Sequence, residues 1–235
     1  YNRALDWTTE ICKKWGLQNS GREAWGEFGR GWYNEVSSLA MKVPYNEDII
    51  AYPAPWSKGT DKIVKAELIM IDRLDSASID KLGDAIKGKI VMVKPGSETI
   101  PDAYSPNSTR YGDSSLDNLA DKYMFTADML TMYLPYMKKE YYTKMYLGAK
   151  GAVGLLASGG DSKEGTVFVS GGVGYDKRYT PTLPVMETSI EAYLKLSRLL
   201  VDHKKVELEM NVQNNFQEKE LTGYNFVAEI PGTDP

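Results

Sequence analysis

Between Lys89 and Lys94 stand four consecutive apolar residues, Ile90, Val91, Met92 and Val93, and Pro95-Gly96 closes the run. A strand that alternates apolar and polar residues covers one face of a sheet. An unbroken apolar run needs cover on both faces, which is the condition of a parallel sheet flanked by helices. The run therefore predicts a buried strand, and the rest of the chain must supply helices for its two sides. Leu116, Leu119, Ala120, Tyr123, Ala127 and Leu130 recur at helical spacing behind a capping pair, Ser114 and Asp117. Pro135 is expected to kink or end that helix, with Lys138 to Leu147 forming a second. Thr188 and Glu191 read as a capping box that opens a helix striped by Ile190, Tyr193, Leu194, Leu196 and Leu200. Ser78 to Ala85 is a shorter helix candidate.

Other segments read as strands. Ile63 to Ile71 is mostly apolar, Val206 to Val212 alternates cleanly, and Tyr224 to Ile230 ends at Pro231-Gly232. Gly148 to Ala157 reads as a helix end leading into a short buried strand, Thr166 to Ser170 as a further strand, and Leu183 to Met186 as another apolar piece. Ser97 to Asp113, rich in Ser, Pro, Asn, Thr and Gly, predicts a long surface loop. At the front, Ala4, Trp7, Ile11, Cys12 and Trp15 fit one amphipathic helix from Arg3 to Trp15 with Gly16 behind it. Ala24 to Ile50 fits short strands, with Pro44 as a break. All five Trp residues lie within the first 56 positions, so the N-terminal quarter is expected to pack on something large.

Composition excludes more than it selects. The chain has 235 residues, 42 % hydrophobic and 26 % charged, with a net charge of -4, within the range of a globular protein that needs no staple to fold. Its Lys and Arg residues are scattered, which excludes nucleic acid as a partner. No apolar run reaches 18 residues, so no transmembrane segment is expected. With one His and one Cys, no zinc pattern can be written. A Cys-His pair would need Cys12 to meet His203, and a Ser-His-Asp triad would need His203 and a Gly-x-Ser-x-Gly turn that the sequence lacks. The expectation is a chain that performs no hydrolysis alone. His203, in Asp-His-Lys-Lys at a helix end, reads as a surface or capping residue.

The glycine loops fail a phosphate test. Gly160 to Gly165 is followed by Thr166 with no Lys in place, and Gly172-Val-Gly174 meets Lys177 where a dinucleotide fingerprint needs glycine. Both read as turns. The carboxylate pairs Asp72 with Asp75 and Glu207 with Glu209 read as solvated positions. Trp25, Phe28, Arg30 and Trp32, with the loop near Tyr175, are the candidate binding residues: either an exposed aromatic platform for a peptide or sugar, or core or interdomain packing.

Lys87 to Lys94, Gly148-Ala-Lys-Gly-Ala152 and Leu183-Pro-Val-Met-Glu187 ahead of the helix Ser189 to Leu200 together resemble the protease-associated domain of di-zinc exopeptidases of peptidase family M-twenty-eight. That family comprises aminopeptidases and glutamate carboxypeptidase-like enzymes. The end of the chain, Thr222 to Pro235, is similar to the first strand and turn of the peptidase domain in that family, which there leads to a His-x-Asp pair holding zinc. The resemblance implies an α/β or α+β fold with a compact, mostly-β, partly barrel-like core and flanking helices. It implies residues 1–20 as a helix packing on the peptidase domain, 21–215 as the protease-associated domain with an insertion near 97–146, and 216–235 as the first strand of an absent peptidase domain. The chain would be a non-catalytic accessory part of a secreted or periplasmic metallopeptidase, shaping access of peptide substrate or contacts with proteins. Two zinc ions would belong to the peptidase domain of the same polypeptide, with no catalytic residue, metal ligand or cofactor on this chain. The alternative is a free-standing peptide- or glycan-binding module using Trp25, Phe28, Arg30, Trp32 and Tyr175.

Overall fold

The computed structural model describes residues 3–97, 108, 110–119, 126–159, 162–169, 174–219 and 221–232. They form two compact units, one of Tyr1–Gly31, Tyr175–Arg178 and Phe216–Pro235, the other of Trp32–Gly174 and Tyr179–Asn215.

The larger unit is built on an eight-stranded sheet. Its strands are β2 (Gly31–Val43), β3 (Glu47–Asp48), β4 (Ala51–Pro53), β5 (Val64–Ile71), β6 (Ile90–Val93), β7 (Gly154–Ala157), β8 (Val185–Thr188) and β9 (Glu207–Gln217), in the order β3-β2-β9-β5-β6-β7-β8-β4. β5 joins two kinds of sheet. Its first half, Val64 to Glu67, pairs antiparallel with β9, and its second half, Leu68 to Ile71, pairs parallel with β6. Beyond it, β6, β7 and β8 continue in parallel, and β4 closes the edge antiparallel to β8.

The apolar run at β6 is covered on both faces, as its sequence requires. Ile90 and Met92 point into one cluster with Leu68, Leu156 and Met186, packed under Tyr193 and Leu196. Val91 points the other way, with Leu155 and Val185, onto Ile79, Ile86 and Leu147. The helices on that second side are α2 (Ser76–Leu82), with a 3-10 turn Gly83–Ile86 behind it, and α4 (Ala127–Ala149). On the first side lies α5 (Ile190–Val201). β9 alternates as expected: Leu208, Met210 and Val212 are buried, while Glu209 turns outward to Lys65, 3.0 Å away.

The expected barrel-like core takes a different form. Among the described residues no closed barrel forms, because the edge strands β3 and β4 share no ladder. Only Ile49 and Ile50 separate these two edges in the chain, and a link of that length spans little more than about 10 Å. The sheet is therefore curled enough to bring its edges near each other without joining them.

Several helix and strand boundaries also differ. α3 (Asp113–Asp117) is a five-residue piece preceded by Gly112 with no side-chain cap, so the Ser114-Asp117 pair does not form. A new helix begins at Ala127, where the Thr126 hydroxyl accepts from the Met129 N–H. α4 then runs through Pro135 without ending. The lost Pro135 N–H removes one internal bond, and the rest of a 23-residue helix absorbs that loss. The cap of α5 is Ser189, whose hydroxyl accepts from the Ala192 N–H, and not Thr188. Thr166 to Val169 is not a strand. Residues 18–43 form two long strands instead of several short ones. Gly160, Gly172 and positions 98–107 and 109 of the predicted loop 97–113 lie outside the described residues.

The smaller unit contains α1 (Arg3–Lys14), β1 (Gln18–Glu27) and β10 (Thr222–Glu229). β1 and β10 pair antiparallel from Gln18 opposite Glu229 to Glu27 opposite Thr222. α1 lies on this ribbon, tied by the Leu17 N–H to the Cys12 carbonyl and by Arg22 to Asp6. Of the expected apolar stripe only Cys12 is buried, while Trp7 is 64 % and Trp15 74 % exposed. No residue of β1 or β10 is fully buried, so the ribbon adds little apolar burial of its own.

Packing sets a clear contrast in mutational cost. Leu156→Ala, in the core at β7, is expected to lower the unfolding free energy by about 2–5 kcal/mol. Leu134→Ala, half-exposed on α4, should change it by less than about 0.5 kcal/mol. Urea denaturation followed by circular dichroism checks both.

Candidate functional site

Four of the five candidate binding residues come together in the smaller unit. The Trp25 and Phe28 rings meet edge to face at 6.5 Å, and Phe28 stacks on Tyr175 at 4.7 Å with 21° between planes. The approach is close because position 29 is glycine. Gly29 has φ +120, and a Cβ there would stand 2.5 Å from the Tyr175 carbonyl oxygen. The Arg30 N–H donates to that same oxygen at 3.0 Å, and the Arg30 guanidinium lies 4.9 Å from the Phe216 ring centre. Arg30 is thus a buried packing residue, 7 % exposed. Trp32, half-buried on β2, belongs to the larger unit.

Beside these rings is a cavity of about 340 Å³, whose lining includes Leu5, Trp25, Phe28, Lys219, Leu221 and Tyr224. A neighbouring depression carries charges that neutralise one another. Lys177 meets Glu27 at 2.6 Å, and Arg178 meets Asp176 at 2.5 Å. Hydrogen bonds from Arg178 hold the Asp176 carboxyl below the ordinary carboxylate range. The aromatic cluster offers apolar faces to a side chain or ring and brings no nucleophile beside a base.

The other sequence candidates have structural work. Asp75 accepts from the Ser78 N–H at 2.8 Å and caps α2, which lowers its pKa. Glu207 pairs with Lys205 at 2.6 Å, and His203 sits at φ 55 just past α5 with its N–H on the Leu200 carbonyl. Among the described residues no group of three or more His, Cys, Asp or Glu could hold a metal.

A second cavity, about 210 Å³, opens where β6, β7 and β8 end. In open α/β sheets the carboxyl ends of parallel strands are where ligands lodge, because the helices on either side diverge there. Glu187 lies on β8 opposite Ala157, on the same face as Val185, and so points toward α4. It is 5 % exposed. From α4, Lys144 reaches the same space, its ammonium 2.8 Å from the carboxylate of Glu140 one turn earlier. From α5, the Tyr193 hydroxyl donates to the Val93 carbonyl at 2.7 Å and accepts from the Val93 N–H at 2.9 Å. Ser158 donates to the Thr188 carbonyl at 2.9 Å.

Burial pushes the Glu187 carboxyl from 4.5 up to about 7; the Lys144 ammonium opposes this and the Glu140 carboxylate reinforces it. Tyr193 is pushed up to about 12, first by burial, with Glu187 adding to the rise and the bond to Val93 opposing it. Residue-by-residue reading assigned Glu187 no role. The available signal was a carboxylate inside the otherwise apolar Leu183-Pro-Val-Met-Glu187, with Lys144 four residues after Glu140.

No protein-family model matches the chain, and no curated protein matches its sequence. Solved structures do match its backbone. A peptidase M28 precursor from Shewanella amazonensis SB2B aligns over 98 % of this chain and 45 % of its own length, at TM-score 0.58 and 14 % identity. The fold is one found in a peptidase of the M28 family. An aminopeptidase from Aneurinibacillus sp. strain AM-1 aligns over 99 % of this chain and 43 % of its own, at TM-score 0.52 and 13 % identity. A zinc aminopeptidase from Bacillus subtilis aligns more loosely, at TM-score 0.46 and 11 % identity, over 97 % of this chain and 40 % of its own. The chain thus spans less than half the length of the solved structures it matches.

Glu187 makes stability depend on pH. Between pH 4.5 and about 7 the unfolded chain releases this proton while the folded chain keeps it. Stability is therefore highest below pH 4.5 as far as this group is concerned, and is lost as pH rises through about 7. The loss is on the order of 3 kcal/mol. Glu187→Gln is expected to remove most of that fall, measured as unfolding free energy in urea at pH 5 and pH 8.5. A wild-type fall retained in the variant would refute the assignment.

Proposed function

We propose that this chain is a non-catalytic, protease-associated part of a secreted or periplasmic zinc exopeptidase. The observation that carries the reading is the backbone alignment that takes in 98 % of this chain and 45 % of an M28 peptidase precursor. In this reading, residues 1–20 pack on a peptidase domain, 21–215 form the accessory domain with its insertion near 97–146, and 216–235 begin the peptidase domain. That domain, part of the same polypeptide, holds two zinc ions and cleaves peptides. In this reading the accessory part contributes shape and contacts, and the zinc ligands belong to the peptidase domain. No helix among the described residues is long and apolar enough to cross a membrane.

The smaller unit supports this reading physically. Trp7 on α1, Trp15 just past it and Trp25 on β1 are 64 %, 74 % and 53 % exposed, apolar surface of the kind that marks an interaction site. A peptidase domain seated on this face would remove that apolar surface from water. The test compares the 235-residue chain with the protein encoded by the full parent reading frame. The longer protein should carry two equivalents of zinc, hydrolyse amino-acid p-nitroanilides or short peptides, and protect Trp7 and Trp15 from acrylamide quenching. The short chain should do none of these. Hydrolysis with stoichiometric metal by the short chain, or a reading frame that lacks a peptidase domain, would overturn the proposal.

The cavity beside Trp25, Phe28 and Tyr175 supports a second reading, a peptide- or glycan-binding module. It requires saturable binding of a peptide or oligosaccharide by the short chain, lost in Trp25→Ala while the circular dichroism spectrum is retained.

A further inference from the structure

The cavity at the ends of β6, β7 and β8 holds one carboxyl, that of Glu187, that no protein donor reaches among the described residues. Lys144 has a carboxylate partner in Glu140. The Tyr193 hydroxyl both donates to and accepts from the Val93 backbone, and the Ser158 hydroxyl gives its proton to Thr188. Among the described residues no hydrogen bond reaches the Glu187 carboxyl, although its residue is 5 % exposed. A buried carboxyl without donors is costly, and the fold lowers that cost by keeping the proton on it. With every group ionised, Glu140, Lys144 and Glu187 leave one net negative charge at the cavity, and Glu187 carries it.

We propose that this cavity binds a small primary amine as its ammonium ion, with Glu187 accepting the N–H donors. An ammonium group supplies what the site lacks, a positive charge and hydrogen-bond donors. Ser158 keeps lone pairs free to accept one of its protons. Leu74, Val93 and Leu155 line the cavity and cover a short alkyl tail. A volume of about 210 Å³ equals roughly seven waters in the liquid, which admits an amine of about five heavy atoms. An anion is disfavoured, because the one ammonium present is already held by Glu140. The amine displaces the proton from Glu187, so binding and proton release are coupled. Lys144 and Glu140 on α4 and Tyr193 on α5 face the same space, and Tyr193, pushed up to about 12, stays neutral throughout. This inference stands apart from the peptidase reading and survives its failure.

The test is a titration of the 235-residue chain with n-butylammonium chloride, followed by backbone amide chemical shifts, with potassium chloride matching ionic strength. Saturable shifts centred on Val93, Ala157 and Glu187 are expected. With half-titration of Glu187 near pH 7, the affinity at pH 6 should be about tenfold weaker than at pH 8. Glu187→Gln, which keeps the shape and removes the charge, should weaken binding at pH 8 by tenfold or more. Leu74→Trp should abolish it by filling the space while leaving the carboxyl in place. Tetramethylammonium, a cation of similar size without N–H donors, should not compete. Absence of saturable shifts in the wild type, unchanged binding in folded Glu187→Gln, or equal competition by tetramethylammonium would overturn the proposal.

Discussion

The structure of the larger unit depends on β5 serving two partners of opposite direction. Its first four residues hydrogen-bond antiparallel to β9 and its last four parallel to β6. Antiparallel strands can follow one another through short turns, whereas parallel strands need crossover helices. The change within β5 thus separates the antiparallel half of the sheet from the parallel half, which lies between α2 and α4 on one face and α5 on the other. The sequence of each half follows its environment. β9 alternates Glu207, Leu208, Glu209 and Met210, while β6 is apolar throughout. A substitution that shifted β5 by one residue would exchange the faces of Leu68 and Ile69 and disturb both halves together.

The sandwiched half creates the chemical tension of the molecule. Three parallel strands end at the same level, and α4 and α5 cover opposite faces of the sheet, so a space opens past the last backbone bonds. Tyr193 crosses it and occupies the Val93 backbone groups that would otherwise be left without partners. Glu187 enters the same space with no comparable partner, and its proton affinity records that cost. A structural core has no need of such a residue, since an apolar side chain there would be more favourable. That argument sets Glu187 apart from Asp75, Glu209 and Asp176, whose carboxylates are each satisfied by a helix cap or a cation.

The smaller unit presents the opposite condition. Its strands pair fully along β1 and β10, yet few of its side chains are buried, and its tryptophans remain largely in water. Backbone hydrogen bonding can define a ribbon, but burial of apolar surface supplies most of the stabilisation. The aromatic cluster of Trp25, Phe28 and Tyr175 packs ring on ring, and it depends on Gly29 admitting Tyr175.

Where one periodicity dominated, the sequence by itself determined the structure. The apolar run at Ile90–Val93, the alternation around Leu208 and Met210, and the stripe of Tyr193, Leu194 and Leu196 each became the predicted element, because burial rewards one spacing only. Local signals with near-equal alternatives were decided by the fold. Thr188 and Ser189 are both good caps, and the pairing of Thr188 with Ala51 in the ladder left Ser189 to cap α5. Pro135 was absorbed because α4 is anchored further on by Tyr141 and Leu147. The sheet order and its open curl rest on pairings between residues far apart in the chain, which no local pattern specifies. The environment of Glu187 belongs with these. Its neighbours Lys144 and Tyr193 lie on elements that only the assembled sheet brings together, so its burial and raised proton affinity are properties of the tertiary structure.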